Sequence, residues 1–502
     1  MRYKTITIFF TFFVTAILPI KIFAQVFPNL QNSFNQYSAN TFQEKLFVHT
    51  DKNTYVAGEL IWFKIYDVDG INNCPTDVSK VAYVEILSNN KDVILQAKID
   101  LKKGKGSGSL LIPVTALSGN YLLRAYTNWM KNFSADYYFN KQVTIINPLK
   151  SPENAKNVAE PKYDLQFFPE GGNMVNGMAN LVAFKATDQW GKSVNFKGFV
   201  INKQNDTILR FEPFKFGMGR FTFKPEKNNA YRAVIKIGSK TIQQSLPPIN
   251  DNGYLMNLKD LTNGTILVTV NTNSESGTVY LFAHTRNVIK VGDAAVIENG
   301  TANFIIDKTK LGDGISHFTV FDNDKRPVCE RLYFKRPSKN LFIEATTDRQ
   351  QYAMRRQVTV TLDAKNTENK PITADLSMSV YRIDSLQHPY QDDIQSYFWL
   401  CSDLKGYIES PEYYFENSDS HADEAVDNLM LTQGWSRFNW DNLLQGKTPA
   451  FSFLPEYNGP IVTAQITNTL TNKPAPGIMA YLTIPGKRIQ MYTSASDSLG
   501  HL

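Results

Sequence analysis

The histidines and cysteines of this 502-residue chain are the side chains best suited to catalysis or metal binding, and their spacing supports neither role. The six histidines lack the i, i+4 spacing that places two imidazoles on one face of a helix to bind zinc. Three cysteines, Cys74, Cys329 and Cys401, are too scattered for a disulfide framework or a metal knuckle. The chain also has no Gly-x-Ser-x-Gly elbow. We therefore expect no catalytic residue, no metal site and no cofactor, and a chain that is not an enzyme.

Two short acidic stretches, residues 67–70 and 419–423, carry oxygen ligands of the kind that calcium accepts. Calcium takes about six to eight oxygens, and neither stretch has a complete calcium-loop pattern, so each is interpreted as a solvated turn instead of a calcium site. Residues 419–423 could also start a helix, with Ala425, Leu429 and Met430 on one side. The glycine-rich residues 104–108 lack the Gly-Lys-Ser/Thr ending of a phosphate-binding loop. This segment is predicted to be the turn of a β-hairpin.

An aromatic-rich segment near the C-terminal end is the best candidate for a surface that contacts another protein. Tyr and Trp provide large, rigid contact area at low entropic cost, which is why interfaces are enriched in them. The alternative, which the sequence favours, is that these rings pack the segment onto its own sandwich, because short helices need tertiary packing. The side chains concerned are Tyr397, Phe398, Trp399, Tyr413, Tyr414, Trp435 and Trp440.

The elements that must position these residues are mainly β-strands. Aromatic residues make up 13% of the chain, and such side chains favour the pleated, half-buried surface of a strand. Residues 93–101 show a clear alternation, with Val93, Leu95, Ala97, Ile99 and Leu101 on one face. Short strands of this kind recur between turn residues. The pattern predicts a mostly β fold of tandem immunoglobulin-like β-sandwiches.

Breaks in the strand pattern divide the chain into predicted domains. Residues 383–447 are compatible with helices and form an insertion in the fourth sandwich. The last segment is too short to close a sandwich, so the C-terminal sandwich is expected to be truncated and the natural protein to continue. The predicted domains are residues 1–24 (signal peptide), 25–45 (linker or arm), 46–148, 163–247, 254–337 and 340–447 (four β-sandwiches), and 459–502 (the start of a fifth).

The N-terminus indicates export. A basic start at residues 1–4 precedes a short apolar run and a small residue, Ala24, which together describe a cleaved secretory signal peptide. The run is shorter than the roughly 20 residues of a membrane-spanning helix. The formal net charge of +6 is too small, and too evenly spread, to indicate a nucleic-acid partner.

A six-residue pattern occurs twice in matching context. Residues 50–55 (TDKNTY) recur as residues 347–352 (TDRQQY), each after a short apolar strand and before a longer one. The pattern indicates repeated modules. We expect Asp51 and Asp348 to cap a turn through backbone amides, and Tyr55 and Tyr352 to start the next strand by packing inward.

These motifs resemble those of the α2-macroglobulin superfamily. Residues 48–52 (VHTDK), with Tyr55, Gly58 and Glu59, look like its second macroglobulin domain, and residues 167–172 (FFPEGG) look like the next domain. Residues 118–130 and 429–438 are similar to a bacterial envelope family of macroglobulin-domain or TonB-dependent receptor plug-domain proteins. The last module resembles a carboxypeptidase-regulatory-like sandwich. The Cys-Gly-Glu-Gln thioester motif that traps proteases covalently is absent.

The resemblance implies an exported, non-enzymatic, macroglobulin-like protein of a Gram-negative-type cell envelope. The expected location is the periplasm, outer membrane or cell surface. Expected partners are other envelope or secreted proteins, such as proteases bound without a thioester or an outer-membrane receptor, with no nucleic acid and at most an indirect membrane contact. The alternative is the N-terminal part of a TonB-dependent receptor system, although the plug itself is not in this sequence.

Overall fold

The fold was analysed in a computed structural model of the chain. The structure describes residues 28–150, 162–261, 263–274, 277–387, 393–434, 438–447, 449–459, 461, 463–484 and 490–502. The predicted signal peptide therefore lies outside the described residues. The chain forms two compact units, each assembled from three separate segments. Unit 1 comprises residues 1–42, 160–340 and 399–449, and unit 2 comprises residues 43–159, 341–398 and 450–502. No helix within the described ranges is long and apolar enough to cross a membrane.

Unit 2 contains the first sandwich, in which a three-stranded sheet (order β1-β3-β6) faces a five-stranded sheet (order β2-β8-β7-β4-β5). Their inner faces share one apolar core that includes Leu46, Tyr55, Ile65 and Ile86. This arrangement confirms the mostly β fold that strand alternation predicted. The strands are β1 (Glu44–Thr50), β2 (Thr54–Val56), β3 (Leu60–Asp69), β4 (Val81–Leu87), β5 (Val93–Asp100), β6 (Lys105–Leu111), β7 (Gly119–Thr127) and β8 (Phe139–Ile146).

The prediction that residues 104–108 form a hairpin turn is wrong for most of the segment, because β6 already begins at Lys105. The turn is the short loop in which Lys102 and Lys105 exchange backbone hydrogen bonds. Gly108 lies inside the strand, at a position where a larger residue would not fit. A Cβ there would stand 2.6 Å from the Ile99 side chain and 3.0 Å from the Phe63 ring. The glycines thus serve close packing over the core.

Unit 1 contains two further sandwiches, each with a three-stranded and a four-stranded sheet. The sheet orders are β14-β11-β9 with β13-β12-β15-β16, and β18-β19-β22 with β21-β20-β23-β24. The strands of the second sandwich are β9 (Tyr163–Pro169), β10 (Met174–Val175), β11 (Asn180–Asp188), β12 (Lys197–Ile201), β13 (Thr207–Phe211), β14 (Met218–Phe223), β15 (Arg232–Ile237), β16 (Lys240–Ser245) and β17 (Ile249–Asn250). Those of the third are β18 (Tyr254–Asp260), β19 (Thr265–Thr272), β20 (Thr278–Thr285), β21 (Val288–Val296), β22 (Thr301–Asp307), β23 (Gly314–Phe321) and β24 (Pro327–Lys335).

The remaining segments of unit 2 form two hairpins and a short helix, α2 (Ile394–Trp399). The last residue of α2, Trp399, is also the first residue of the following unit 1 segment. The hairpins pair β25 (Phe342–Thr347) with β26 (Val360–Lys365), and β27 (Met479–Ile484) with β28 (Gln490–Ala495). Residues 376–381 form no strand, and their polar groups contact side chains of the first sandwich. Lys64 donates to the Leu376 carbonyl (3.1 Å), and His49 and Tyr66 contact the Ser377 hydroxyl. Among the described residues of 461–466, Gln465 forms one bridge, with His501.

The helices of unit 1 lie at the two ends of its sequence. Helix α1 (Pro28–Asn40) is the predicted linker or arm, and the predicted helical insertion contains α3 (Tyr413–Glu416), α4 (Ser420–Thr432) and α5 (Trp440–Leu444). Asp419 caps α4 by accepting a hydrogen bond from the Ala422 amide (2.8 Å). The acidic stretch at 419–423 therefore begins a helix, as one of its two interpretations predicted, and does not form a solvated turn.

The two copies of the repeated hexapeptide fold into the same turn. In the first, the Tyr55 hydroxyl donates to Asp51 Oδ1 (2.7 Å), which also accepts from the Trp62 amide (3.1 Å). In the second, Tyr352 donates to Asp348 Oδ1 (2.5 Å), which also accepts from the Thr359 amide (2.9 Å). Each aspartate therefore joins the turn to the following strand segment. Tyr55 packs inward in β2 as the sequence predicted, whereas that prediction is wrong for Tyr352, which stays partly exposed and lies outside a strand.

We expect Tyr55→Phe to destabilise the protein more than Tyr352→Phe. Tyr55 is fully buried, so loss of its hydroxyl leaves the Asp51 carboxylate without a buried donor and costs about 1–3 kcal/mol. Tyr352 lies in an exposed turn, where water replaces the lost hydrogen bond, so the loss of stability should be clearly smaller. Urea unfolding of both variants measures the difference, and equal losses would contradict the assignment.

Candidate functional site

Unit 1 encloses an open cavity of about 940 Å³, here called the unit 1 cavity. Its walls come from the end of β9 and the loop after it, and from β23 and β24. The C-terminal end of α4 and the N-terminal end of α5 complete them. The residues that matter for its chemistry are Phe167, Phe168, Glu170, His317, Glu330, Arg331, Phe438, Trp440 and Asp441. A cavity of this size is within the range of about 300–1,000 Å³ that ligand sites occupy.

A buried ion network forms one wall of the cavity. Arg331 on β24 donates to Glu170 (2.9 Å) and to Asp427 of α4 (2.7 Å), and Arg220 of β14 also binds Asp427. Glu170 accepts further bonds from the Asn257 side chain (2.7 Å) and the Leu258 amide (3.1 Å) of β18. The network therefore connects both sandwiches of unit 1 to α4.

The charges of this network are compensated. Burial alone would raise the pKa of Asp427, but the Arg331 and Arg220 guanidinium groups hold it below its ordinary value. Burial would likewise lower the pKa of Arg331, and the carboxylates of Asp427 and Glu170 raise it instead. These groups are committed to holding the wall together and are not free to exchange protons with a substrate.

The opposite wall is aromatic and acidic. Trp440 donates its indole N–H to Glu330 Oε1 (2.7 Å), and Phe438 packs edge-on against the Trp440 ring with centroids 4.9 Å apart. Glu330 retains solvent exposure, but burial of its carboxyl group among the cavity walls raises its pKa, against the opposing hydrogen bonds of Trp440 and Thr319. No described cationic side chain forms an ion pair with Glu330. This carboxylate is therefore a charge of the cavity lining that no described cation compensates.

The aromatic cluster behind this wall anchors α1. Phe34 of α1 is fully buried and contacts the rings of Phe282 (5.0 Å between centroids), Phe438 (5.6 Å) and Trp440 (5.9 Å). Ring pairs of this kind are worth about 0.5–1.5 kcal/mol beyond their buried area. Neither the cluster nor its link between the two ends of unit 1 was predicted.

Two histidines that the sequence places far apart meet beside this cluster. His284 on β20 lies directly opposite His317 on β23, and their rings stack 4.8 Å apart at 7°. His284 is buried, and burial followed by the neighbouring His317 lowers its pKa well below the ordinary value. Within the described ranges, no group of three His, Cys, Asp or Glu residues is placed to hold a metal ion.

The aromatic residues predicted to form a contact surface are mainly internal in this structure. Tyr397 and Phe398 pack in unit 2 against Phe47, with Phe398 buried in the core of the first sandwich. Trp399 stacks under the Arg286 guanidinium at 4.5 Å in unit 1. Trp435 lies outside the described residues.

The other three predicted contact residues also pack within unit 1. Tyr414 is fully buried, Trp440 is 5% exposed, and Tyr413 is half-buried beside Lys215 (4.6 Å). The expectation that the helical segment packs onto its own sandwich is wrong. Its apolar face instead contacts Met218 and Leu332, which belong to β14 and β24, because those strands present matching apolar side chains.

The network residues Glu170, Arg331 and Asp427 were missed as candidate residues. Glu170 lies in the FFPEGG motif, and Arg331 interrupts an apolar strand, which is the signal that a buried partner exists. Of the three cysteines, Cys329 is buried, Cys401 is partly exposed and Cys74 is exposed.

Comparison with known proteins gives only remote likenesses. No protein-family model and no curated protein matches the chain. The native form of Escherichia coli α2-macroglobulin is 10% identical over 64% of this chain and 25% of that one, with a TM-score of 0.18. The elastase-activated form is 9% identical over 91% and 40%, with a TM-score of 0.23. Dimeric latent PorU from Porphyromonas gingivalis is 11% identical over 58% and 34%, with a TM-score of 0.26. The chain spans well under half of these proteins, and no functional argument is based on them.

Proposed function

We propose that this chain is an exported, non-enzymatic binding protein of the cell envelope, and that the unit 1 cavity receives a cationic segment of a partner protein. The observation that carries the proposal is the uncompensated Glu330 carboxylate at the aromatic wall of an open cavity. The N-terminal sequence supports export, and the resemblance to macroglobulin domains supports a binding role.

The chemistry of the cavity selects for positive charge. Glu170 is neutralised by Arg331, so Glu330 and the exposed Asp441 dominate the electrostatics of the lining. Phe438, which is half-buried at this wall, adds an aromatic ring of the kind that attracts Lys and Arg side chains, and the buried Trp440 ring supports it. Phosphate groups, by contrast, would be repelled by this wall.

The cavity walls are also pre-organised for binding. The ion network and the Phe34 cluster hold together the strands and helices around the cavity, which come from three segments of the chain. Because these walls are already ordered, little conformational entropy is lost when a ligand enters. A volume of about 940 Å³ accommodates several side chains of an extended peptide. A protein segment rich in Lys or Arg therefore fits both the size and the charge.

The test measures binding of fluorescent Lys/Arg-rich peptides to the mature chain, with an acidic peptide of equal length for comparison. Glu330→Gln is expected to weaken binding of the basic peptide about tenfold, because it removes the accessible charge and keeps the shape. Glu298→Gln is the matched control, since Glu298 is an exposed glutamate of the same sandwich. Equal binding by all three proteins, or preference for the acidic peptide, would overturn the proposal.

Secreted proteases are the first partner class to examine, because the resemblance implies endopeptidase-inhibitor-type binding without a thioester. The assay compares protease activity on a large protein substrate and on a small peptide substrate in the presence of the chain. Selective protection of the large substrate supports this partner class, and equal activity on both excludes it. Cell fractionation tests the envelope location, and turnover in a hydrolase panel would contradict the non-enzymatic assignment.

A further inference from the structure

Two acidic side chains point into the core of the first sandwich at one end of its three-stranded sheet. Leu46 of β1 pairs with Asp67 of β3, and Glu44 pairs with Asp69. Directly paired residues share a face, and so do residues two apart along a strand, so Glu44 and Asp67 lie on the same inner face as diagonal neighbours. Glu44 is 3% exposed and Asp67 is completely buried.

The two carboxylates differ in their hydrogen bonding, because the protein supplies donors to Glu44 and none to Asp67. Glu44 accepts three hydrogen bonds, from the Ser79 amide (3.2 Å), the Ser79 hydroxyl (2.9 Å) and the Thr127 hydroxyl (2.6 Å). Neither side-chain oxygen of Asp67 has a hydrogen-bond partner, and no ion pair involves Asp67 or Glu44 among the described residues. Asp67 is therefore a buried polar group whose partner is missing.

An unpaired buried carboxylate is strongly disfavoured, because it loses hydration without gaining a compensating charge or donor. Burial, followed by the charge of Glu44, raises the pKa of Asp67 well above its ordinary value. The site thus requires positive charge, either as a proton on the carboxyl group or as a bound cation. It was interpreted as part of a solvated turn in the sequence, which its complete burial contradicts.

The atoms that could bind a ligand at this site are all oxygens, and oxygen ligands favour a hard cation. They are the carboxylate oxygens of Asp67 and Glu44 and the hydroxyl oxygens of Ser79 and Thr127. Oxygen-only surroundings suit Ca²⁺ or Mg²⁺, and Ca²⁺ is the less demanding of the two in its geometry. A divalent cation also balances both negative charges at once. Water molecules would complete a shell of about six to eight oxygens.

We propose that Glu44 and Asp67 form a Ca²⁺ site inside the first sandwich, with Asp67 as a direct ligand and Ser79 and Thr127 as neighbouring hydroxyl donors. The site is independent of the unit 1 cavity, since all of its residues belong to unit 2. Binding at this position connects β1, β3 and β7 with the Ser79 loop. The cation is a structural element of the sandwich.

The test uses the mature chain stripped with a chelator and then titrated with Ca²⁺. We expect one Ca²⁺ per chain by calorimetry and a rise of about 5 °C or more in the unfolding midpoint at saturation. Asp67→Asn is expected to weaken Ca²⁺ binding at least about tenfold and to abolish the rise. Asp92→Asn, which removes an exposed carboxylate from the same sandwich, is expected to behave like the wild type.

Two results with folded proteins would overturn the proposal, and a third measurement decides if the variants do not fold. The first is a chelated wild type that binds no Ca²⁺ and keeps the same midpoint in its presence, which assigns a proton to the site. The second is Ca²⁺ binding that survives in both Asp67→Asn and Glu44→Gln, which places the ion elsewhere. If the variants fail to fold, metal analysis of the dialysed wild type decides: one equivalent of Ca²⁺ supports the site, and none overturns it.

Discussion

Arg331→Met will lower the free energy of unfolding by about 3–5 kcal/mol, the range found when one partner of a buried ion pair is removed. The methionine fills much of the same space but leaves Glu170 with a buried negative charge and only the hydrogen bonds of Asn257 and Leu258. Asp427 is affected less, because it keeps Arg220. Urea unfolding followed by tryptophan fluorescence measures the loss.

Arg220→Met is the matched control for that variant. Its guanidinium also binds Asp427, but the side chain is 29% exposed, so water replaces the lost contact and we expect a loss of about 1 kcal/mol or less. The double variant Arg331→Met/Glu170→Gln should recover part of the stability, because it removes the stranded charge. A loss below about 1 kcal/mol for Arg331→Met would show that the network does not hold unit 1 together.

Acidification from pH 6.5 to pH 5 will destabilise the protein through His284. Its pKa in the fold is well below the ordinary value, so the unfolded chain takes up a proton that the folded chain refuses. The contribution of His284 to stability is therefore present above the pKa of the unfolded histidine, about 6.5, and is lost as the pH falls below it, by at most about 1.4 kcal/mol per pH unit. The groups that face His284 are His317, which stacks on it, and Arg286 and Asp403, which line the same small cavity.

The pH dependence is measured as the free energy of unfolding across that range for the wild type and His284→Phe. Phenylalanine extends the surrounding aromatic cluster and cannot take up a proton, so the slope should become shallower by about one proton. His421→Gln is the control, because His421 is an exposed histidine of the same unit. Parallel pH profiles for wild type and His284→Phe would exclude His284 as the cause.

Local patterns in the sequence were sufficient to predict most strands and one helix. Alternation in residues 93–101 is realised in β5, and Ala425, Leu429 and Met430 form the buried side of α4 as their spacing indicated. Strand β24 was missed, because Cys329, Glu330 and Arg331 interrupt the apolar alternation that marks a strand. Their polar character reflects partners elsewhere in unit 1.

The candidate site could not be predicted because its members are distant in sequence. Glu170, Arg331 and Asp427 meet only after β9, β24 and α4 have packed together, and no spacing rule relates them. The apolar face of α4 likewise fits any sheet with suitable side chains, so the sequence does not reveal which sandwich it covers. The same holds for Asp67, whose burial depends on how the sandwich closes above it.

The contact of Phe34 with Trp440 joins the first helix of the described chain to one of its last. During synthesis, α1 emerges long before α5 exists, so the contact of Phe34 with Trp440 cannot form until α5 has been made. Such distant contacts carry a large loop-closure cost and are expected late in folding. Unit 1 is thus kept incomplete, with its first helix undocked, until α5 has been translated. An unfinished fold of this kind would suit the export that we propose, in which the polypeptide crosses a membrane before it becomes compact.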